Sequence, residues 1–135
     1  MKPLPRLKNY KEYLQTDIDD HHHFLIKNSS LPKGTKKLLL NYTKGYVCSV
    51  ACGRAKIKKG YYIVPLWAYT RGYGYFQYYV AHELSHIAAR YRKGNGSNHG
   101  ADFYKNFKDI CPKKLQKYEF PYKPRMAELY GLSKK

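Results

Sequence analysis

Apolar positions in the first third of the chain recur at helical spacing. Leu14, Ile18 and Leu25 fall on one face of a helical period, which predicts one amphipathic helix. The stretch NSSLPKG at 28–34 has the composition of a loop, and KKLLLNYTKG after it predicts a short second helix that stops near Gly45. The N-terminal part of the chain is therefore expected to be helical.

The pattern changes over residues 46–70. This segment is rich in Val, Ile, Tyr and Trp and is interrupted by Gly53 and Gly60, which is typical of short strands joined by turns. Gly60 is expected to close a hairpin. The sequence YYIVPLWA at Tyr61–Ala68 is a candidate edge strand, because Pro65 has no N–H to donate to a neighbouring strand, and the alternative is an ordinary core strand.

Helical period returns over about 76–91. The sequence KGNGSN at 93–98 predicts a loop, and a third helical stretch is expected over about 100–110. The basic tail, residues 111–135, is expected to be irregular with a short terminal helix. Helices around a β-rich segment predict an α+β fold with a small mixed or antiparallel sheet.

The length and composition are those of a single domain. The chain has 135 residues, of which 43% are hydrophobic and 16% are aromatic, enough to form a core. We therefore expect one domain over 1–135, with an N-terminal helical region at about 1–34, a central core at 35–110 and the basic tail at 111–135.

Several absences indicate the compartment. No apolar run is long enough to span a membrane, the N-terminus lacks the apolar region of a signal peptide, and no membrane partner is expected. The three cysteines, Cys48, Cys52 and Cys111, are too few for a disulfide framework and suit a reducing compartment. We expect a cytoplasmic protein, and the richness in Lys, Tyr and Asn would suit a bacterial or phage-infected cell.

Charge is strongly unbalanced. The chain has 26 Lys and Arg residues against 9 Asp and Glu residues, which gives a formal net charge of +17. Such a surface attracts nucleic acid or another anionic partner, although a merely solvated basic surface is the alternative. The aromatic run GYGYFQYY at 72–79 could stack on exposed bases or pack in the core. Candidate substrate or nucleic-acid contacts are Tyr62, Trp67, Arg71, Arg90, Arg92 and Lys93.

The predicted helix at 76–91 contains an H-E-x-x-H motif. His82 and His86 are four residues apart, so they share one helix face with Cβ atoms about 5–6 Å apart, from where both imidazoles can reach one zinc ion. Glu83 lies beside them and could accept a proton from a zinc-bound water. The alternative is that both histidines are ordinary, partly buried side chains of an amphipathic helix.

A catalytic zinc site needs a third protein ligand in addition to the water position. His99 is the candidate, because the loop at 93–98 would return the chain to the motif helix, and Phe103 and Phe107 would anchor the returning helix to the core. The remaining histidines, His21–His23, are interpreted as part of a solvated helix face, and the alternative is a metal-binding patch with Asp17, Asp19 and Asp20.

The order of three segments resembles a known family. VACGRAKIKKGYYIVPL, then VAHELSHIAA, then NHGADFYKNF is similar to the SprT-like zinc metallopeptidases, whose members include Spartan-type DNA-dependent proteases, over about residues 35–110. The resemblance implies a zincin-like fold. It also implies that His82, His86 and His99 are the zinc ligands and Glu83 the catalytic acid/base. The cysteine zinc ribbon that longer members often add is not expected, because Cys111 alone lies beyond the core.

Two functions from different classes follow. The first is a zinc-dependent peptidase acting on a protein or peptide, including DNA-associated proteins, with the strand Tyr61–Ala68 pairing with an extended substrate. The alternative is a basic nucleic-acid-binding or structural assembly protein in which zinc stabilises a zincin scaffold. Membership of a larger assembly and the oligomeric state stay open.

Overall fold

The computed structural model describes residues 10–135, with side chains from Leu14 onward, and in this part of the chain three short strands lie between two helices and five further helices. The helices are α1 (Tyr10–Lys27), α2 (Lys33–Tyr42), α3 (Leu66–Thr70), α4 (Tyr73–Tyr91), α5 (Ala101–Ile110), α6 (Glu119–Tyr122) and α7 (Pro124–Leu129). The strands are β1 (Lys44–Cys48), β2 (Arg54–Lys56) and β3 (Tyr61–Pro65), and single 3-10 segments cover Ile57–Lys59 and Lys113–Tyr118. The predicted α+β class is confirmed.

The three strands form a mixed sheet in the order β1-β3-β2. β1 runs parallel to β3, whereas β2 pairs antiparallel with β3. Gly60 closes the β2–β3 hairpin with a φ of 75°, a left-handed conformation that suits glycine.

The prediction that Tyr61–Ala68 is an edge strand is wrong. β3 is the central strand, it ends at Pro65, and the chain then enters α3. Pro65 precedes the first residue of α3, so its missing N–H does not interrupt the middle of the sheet. Among the described strands, β2 lies at the edge on the side of β3 opposite β1.

α4 is the central helix of the hydrophobic core. It begins at Tyr73, three residues before the predicted start, and every side chain from Val80 to Ala89 is buried. α5 returns alongside α4, and Phe103 and Phe107 are fully buried, as the sequence predicted. Truncating such a phenylalanine to alanine typically costs about 3–5 kcal/mol, so this pair fixes α5 against the core.

The tail differs from its prediction because it folds back on the core. The predicted short terminal helix is present as α7, but the segment before it is not irregular, because residues 113–122 form a 3-10 segment followed by α6. Leu115, Ala127 and Leu132 are buried in the same hydrophobic cluster as α4. This docking carries Glu119 and Tyr122 to the face of α4 that bears the motif histidines.

The longest described helix, α4, has 19 residues, but it mixes apolar side chains with His, Glu, Gln and Arg. Within residues 10–135, no helix combines the length and apolar character needed to cross a membrane.

Candidate metal centre

Three imidazoles converge at one point of the structure. His82 and His86 project from successive turns of α4, and His99 lies directly before Gly100, the N-cap residue of α5. A ring nitrogen from each lies within 4.8 Å of the others, and the Nε2 atoms of His82 and His99 are 3.0 Å apart. The structure therefore brings the three predicted histidines together in a group that could hold a metal ion.

The outer nitrogens of the two motif histidines are held by acceptors. Nδ1 of His82 lies 2.9 Å from Oε1 of Glu119, and Nδ1 of His86 donates to the carbonyl oxygen of Gly96. Because the carbonyl and the ionised carboxylate only accept hydrogen bonds, each Nδ1 carries the proton and each Nε2 presents a lone pair. Histidines that ligate metals are commonly oriented in this way.

Burial keeps two of these imidazoles neutral. Burial, with the neighbouring His82 acting in the same direction, lowers the pKa of His86 and of His99 to about 4. At neutral pH both rings are therefore unprotonated on one nitrogen, which is the form that binds metal.

Glu119 is the buried anchor of the site. Its side chain has no exposed surface, and the hydroxyls of Tyr78 and Tyr104 each donate to it at 2.6 Å, in addition to Nδ1 of His82. Burial alone would raise the pKa of Glu119, but these hydrogen bonds outweigh it and hold the pKa below the ordinary value. The sequence analysis did not identify Glu119. The one available signal was that it is the single acidic residue between Asp109 and Glu128.

Glu83 lies beside the three histidines and is almost fully buried. The pKa of its carboxyl is raised to about 7, mainly by burial and to a smaller extent by Glu119, while His82 acts in the opposite direction. A carboxyl with this pKa can both accept and release a proton near neutral pH, which is the property required of a general acid/base.

The motif residues lie in the wall of an open cavity of about 460 Å³. Trp67, predicted as a contact residue, lines it together with Tyr75 and Tyr79. Tyr122, which the sequence analysis did not single out, is 56% exposed, and its ring centroid lies 5.5 Å from that of His82 and 5.6 Å from that of His99. The cavity therefore gives a ligand of moderate size access to the imidazoles.

The loop at 93–98 reaches α4 because Gly96 has no side chain. A Cβ at Gly96 would overlap the carbonyl oxygen of His86, so a larger residue there must displace the loop. The same close approach lets the Gly96 carbonyl accept the hydrogen bond from His86. The loop thus positions one ligand directly and leads into another, His99.

Tyr62 is a correction to the predicted contacts. Its ring has no exposed surface, and its hydroxyl lies 2.8 Å from Nδ1 of His22, so it cannot touch a substrate or a nucleic acid in this structure. His22 is buried as well, with Nε2 2.9 Å from the carbonyl oxygen of Leu39. The interpretation of His21–His23 as a solvated face is therefore wrong for His22.

The predicted cationic contacts lie in different settings. Arg90 donates to the carbonyl oxygens of Ile57 and Lys58, and Arg92 donates to Asn106 and Asp109, so both guanidinium groups bind within the protein. Lys93 is exposed at the end of α4. Arg71 is exposed and stacks on Trp67, next to the cavity. Nucleic-acid contact by any of them stays a prediction.

Comparison of the chain with protein-family models, with curated proteins and with solved structures gives no match. The inference of function therefore rests on the geometry of the site and on the motifs that it contains.

Proposed function

We propose that this chain is a zinc-dependent metallopeptidase with a zincin-like fold, similar to the SprT-like family. One observation carries the proposal: three imidazoles converge within 4.8 Å in the lining of an open cavity, beside a buried carboxyl whose pKa is about 7. Three protein ligands with one accessible position distinguish catalytic zinc sites from closed structural ones.

The donor set fits zinc. All three ligands are imidazole nitrogens, which suit this metal, and two nitrogens bound to one tetrahedral zinc lie about 3.3 Å apart. The separation of 3.0 Å between the Nε2 atoms of His82 and His99 is close to that value. A zinc ion held there would polarise the scissile carbonyl and lower the pKa of a bound water.

Glu83 and Tyr122 supply the proton chemistry in this proposal. Glu83 accepts the proton of the attacking water and then gives it to the leaving amine, as its pKa near 7 allows. Burial and the nearby Glu119 raise the pKa of Tyr122, so its hydroxyl stays protonated and can donate to the developing oxyanion of the peptide carbonyl.

An extended substrate would bind along β2. This strand is at the edge of the sheet, and Arg54 and Ala55 line the cavity that contains the imidazoles. Backbone hydrogen bonds to an edge strand accept many sequences, so flexible or unfolded chains are the expected substrates. β2 takes the role that the sequence analysis assigned to Tyr61–Ala68.

Metal content and cleavage together test the proposal. We expect about one zinc per chain by elemental mass spectrometry, with strong loss in His99→Ala and none in His23→Ala, which changes an exposed histidine of α1. Glu83→Gln should keep zinc but cleave a labelled flexible protein at least about a hundredfold more slowly. Absence of zinc uptake, or full activity in Glu83→Gln, would refute the peptidase.

The net charge of +17 supports a second proposal, in which the surface binds nucleic acid and the metal serves only stability. In that case DNA binding would be strong and salt-sensitive, it would be unchanged in Glu83→Gln, and no protein substrate would be cleaved.

A further inference from the structure

The edge strand β2 presents two cations on one face. Arg54 and Lys56 are exposed and flank Ala55, and side chains two residues apart on a strand point to the same side. Arg54 also lines the cavity that contains the metal centre. A peptide that pairs with β2 would therefore place alternate side chains opposite these two cations.

Two further cations stand on aromatic rings at the cavity. The guanidinium carbon of Arg71 lies 4.6 Å from the ring centroid of Trp67 and 5.1 Å from that of Tyr75. Nζ of Lys123 lies 5.3 Å from the ring centroid of Tyr122. All three rings line the cavity. Cations therefore lie at three places around the cavity: on β2, beside Trp67 and beside Tyr122.

Acidic side chains do not offset this charge. Among the described residues that line the cavity, Glu83 is the single acid, and it is almost fully buried. Glu119 is enclosed behind His82 and already accepts three hydrogen bonds. The mouth of the cavity therefore attracts anionic groups and repels cationic ones.

We infer that the site selects extended peptides that carry Asp or Glu at alternate positions, opposite Arg54 and Lys56. This inference rests on the proposed peptidase function. Directly opposed side chains of paired strands have Cβ atoms about 4.5–5.5 Å apart, where opposite charges stabilise the pairing and like charges destabilise it. The remaining cations at the mouth favour the approach of the same peptides.

Two matched peptide series test the selection. Every peptide contains the same apolar segment, in which cleavage is expected. A pair of charged residues, two positions apart, is placed at successive distances from this segment. The pair is Asp in one series and Lys in the other. For the best register we expect kcat/KM to be at least about tenfold higher with the Asp pair at low salt. The ratio should fall as ionic strength rises, because exposed charges are screened.

Charge variants of β2 locate the effect. The double variant Arg54→Glu with Lys56→Glu should reverse the preference, and Arg54→Gln with Lys56→Gln should abolish it. The control is Lys33→Glu with Lys37→Glu on α2, which changes the net charge equally at exposed lysines outside the cavity and should leave the preference intact. Zinc content and thermal unfolding show whether each variant folds. If the double Glu variant of β2 does not fold, the double Gln variant provides the test.

The outcomes separate this inference from the proposed function. Equal cleavage of both series that depends on Glu83, or a preference that survives both β2 variants, overturns the selection while the peptidase stands. If the zinc-loaded chain cleaves neither the peptides nor a flexible protein, the proposed function itself fails. If β2 variants abolish oligonucleotide binding while the peptide series are cleaved equally, these cations serve nucleic acid and the selection is overturned.

Discussion

Replacing Glu119 by glutamine should weaken both the metal site and the fold. Three donors converge on this carboxylate: Oε1 accepts from Tyr78 and His82, and Oε2 accepts from Tyr104. The amide of Gln has one oxygen in place of two and adds two N–H donors. Since the site has no exposed surface at Glu119, water cannot satisfy the group that loses its partner.

The two orientations of the new amide have different consequences. With its nitrogen towards Tyr104, the tyrosine hydroxyl must accept instead of donating, and its own proton is left unpaired, at a cost of about 1–3 kcal/mol. With its nitrogen towards His82, Nδ1 of the imidazole must become an acceptor. The imidazole proton then moves to Nε2, where it blocks the lone pair that binds metal.

The assay compares wild type with Glu119→Gln by zinc competition against a chromophoric chelator and by urea unfolding of the metal-free proteins. Loss of an outer carboxylate partner typically weakens metal binding about tenfold to hundredfold, which corresponds to about 1.4–2.8 kcal/mol. The control is Glu128→Gln, which removes an exposed carboxylate of α7 whose ion-pair partner is Lys134. Zinc affinity and stability equal to those of wild type would refute the role of Glu119 in orienting His82.

Three further predictions concern the same site. In metal-free protein the pKa of Glu83 is raised from 4.5 to about 7, so the destabilising effect of its buried charge is absent below about pH 4.5 and complete above about pH 7. Glu83→Gln should therefore increase the free energy of unfolding at pH 8 by up to about 3 kcal/mol. An equal increase at pH 4 would contradict this account. Gly96→Ala should displace the loop from His86 and reduce zinc affinity by at least about tenfold in the competition assay. Gly34→Ala, where a Cβ meets nothing within 4 Å, should leave zinc affinity unchanged. Tyr122→Phe should lower kcat on a flexible protein about a hundredfold at unchanged zinc content, and an unchanged kcat would exclude its hydroxyl as the oxyanion donor.

The sequence predicted those parts of the site whose relative positions are determined by residues close together along the chain. His82, Glu83 and His86 lie on one helix, so their relative positions follow from the helical repeat once α4 is recognised. His99 could be found because a short loop limits how far the chain can travel before α5 begins. Helical periodicity likewise predicted α5 and its buried phenylalanines.

The parts that sequence reasoning missed depend on contacts between distant segments. Glu119 is 37 residues from His82, and nothing near it in the sequence indicates that its carboxylate will meet an imidazole. Tyr122 shares this dependence on how the tail folds back. The central position of β3 was missed for the same reason, because the order of strands is set by pairing between segments and not by the composition of one strand.

The docked tail also has a consequence for biosynthesis. The ribosome makes the three histidines well before it makes Glu119 and Tyr122, so a nascent chain that has emerged only as far as α5 carries the imidazoles without the groups that orient and complete the site. Hydrolytic competence in the proposed enzyme therefore arises late in synthesis. Until the tail folds back, the growing polypeptide and its neighbours would not meet the complete site of the proposed peptidase.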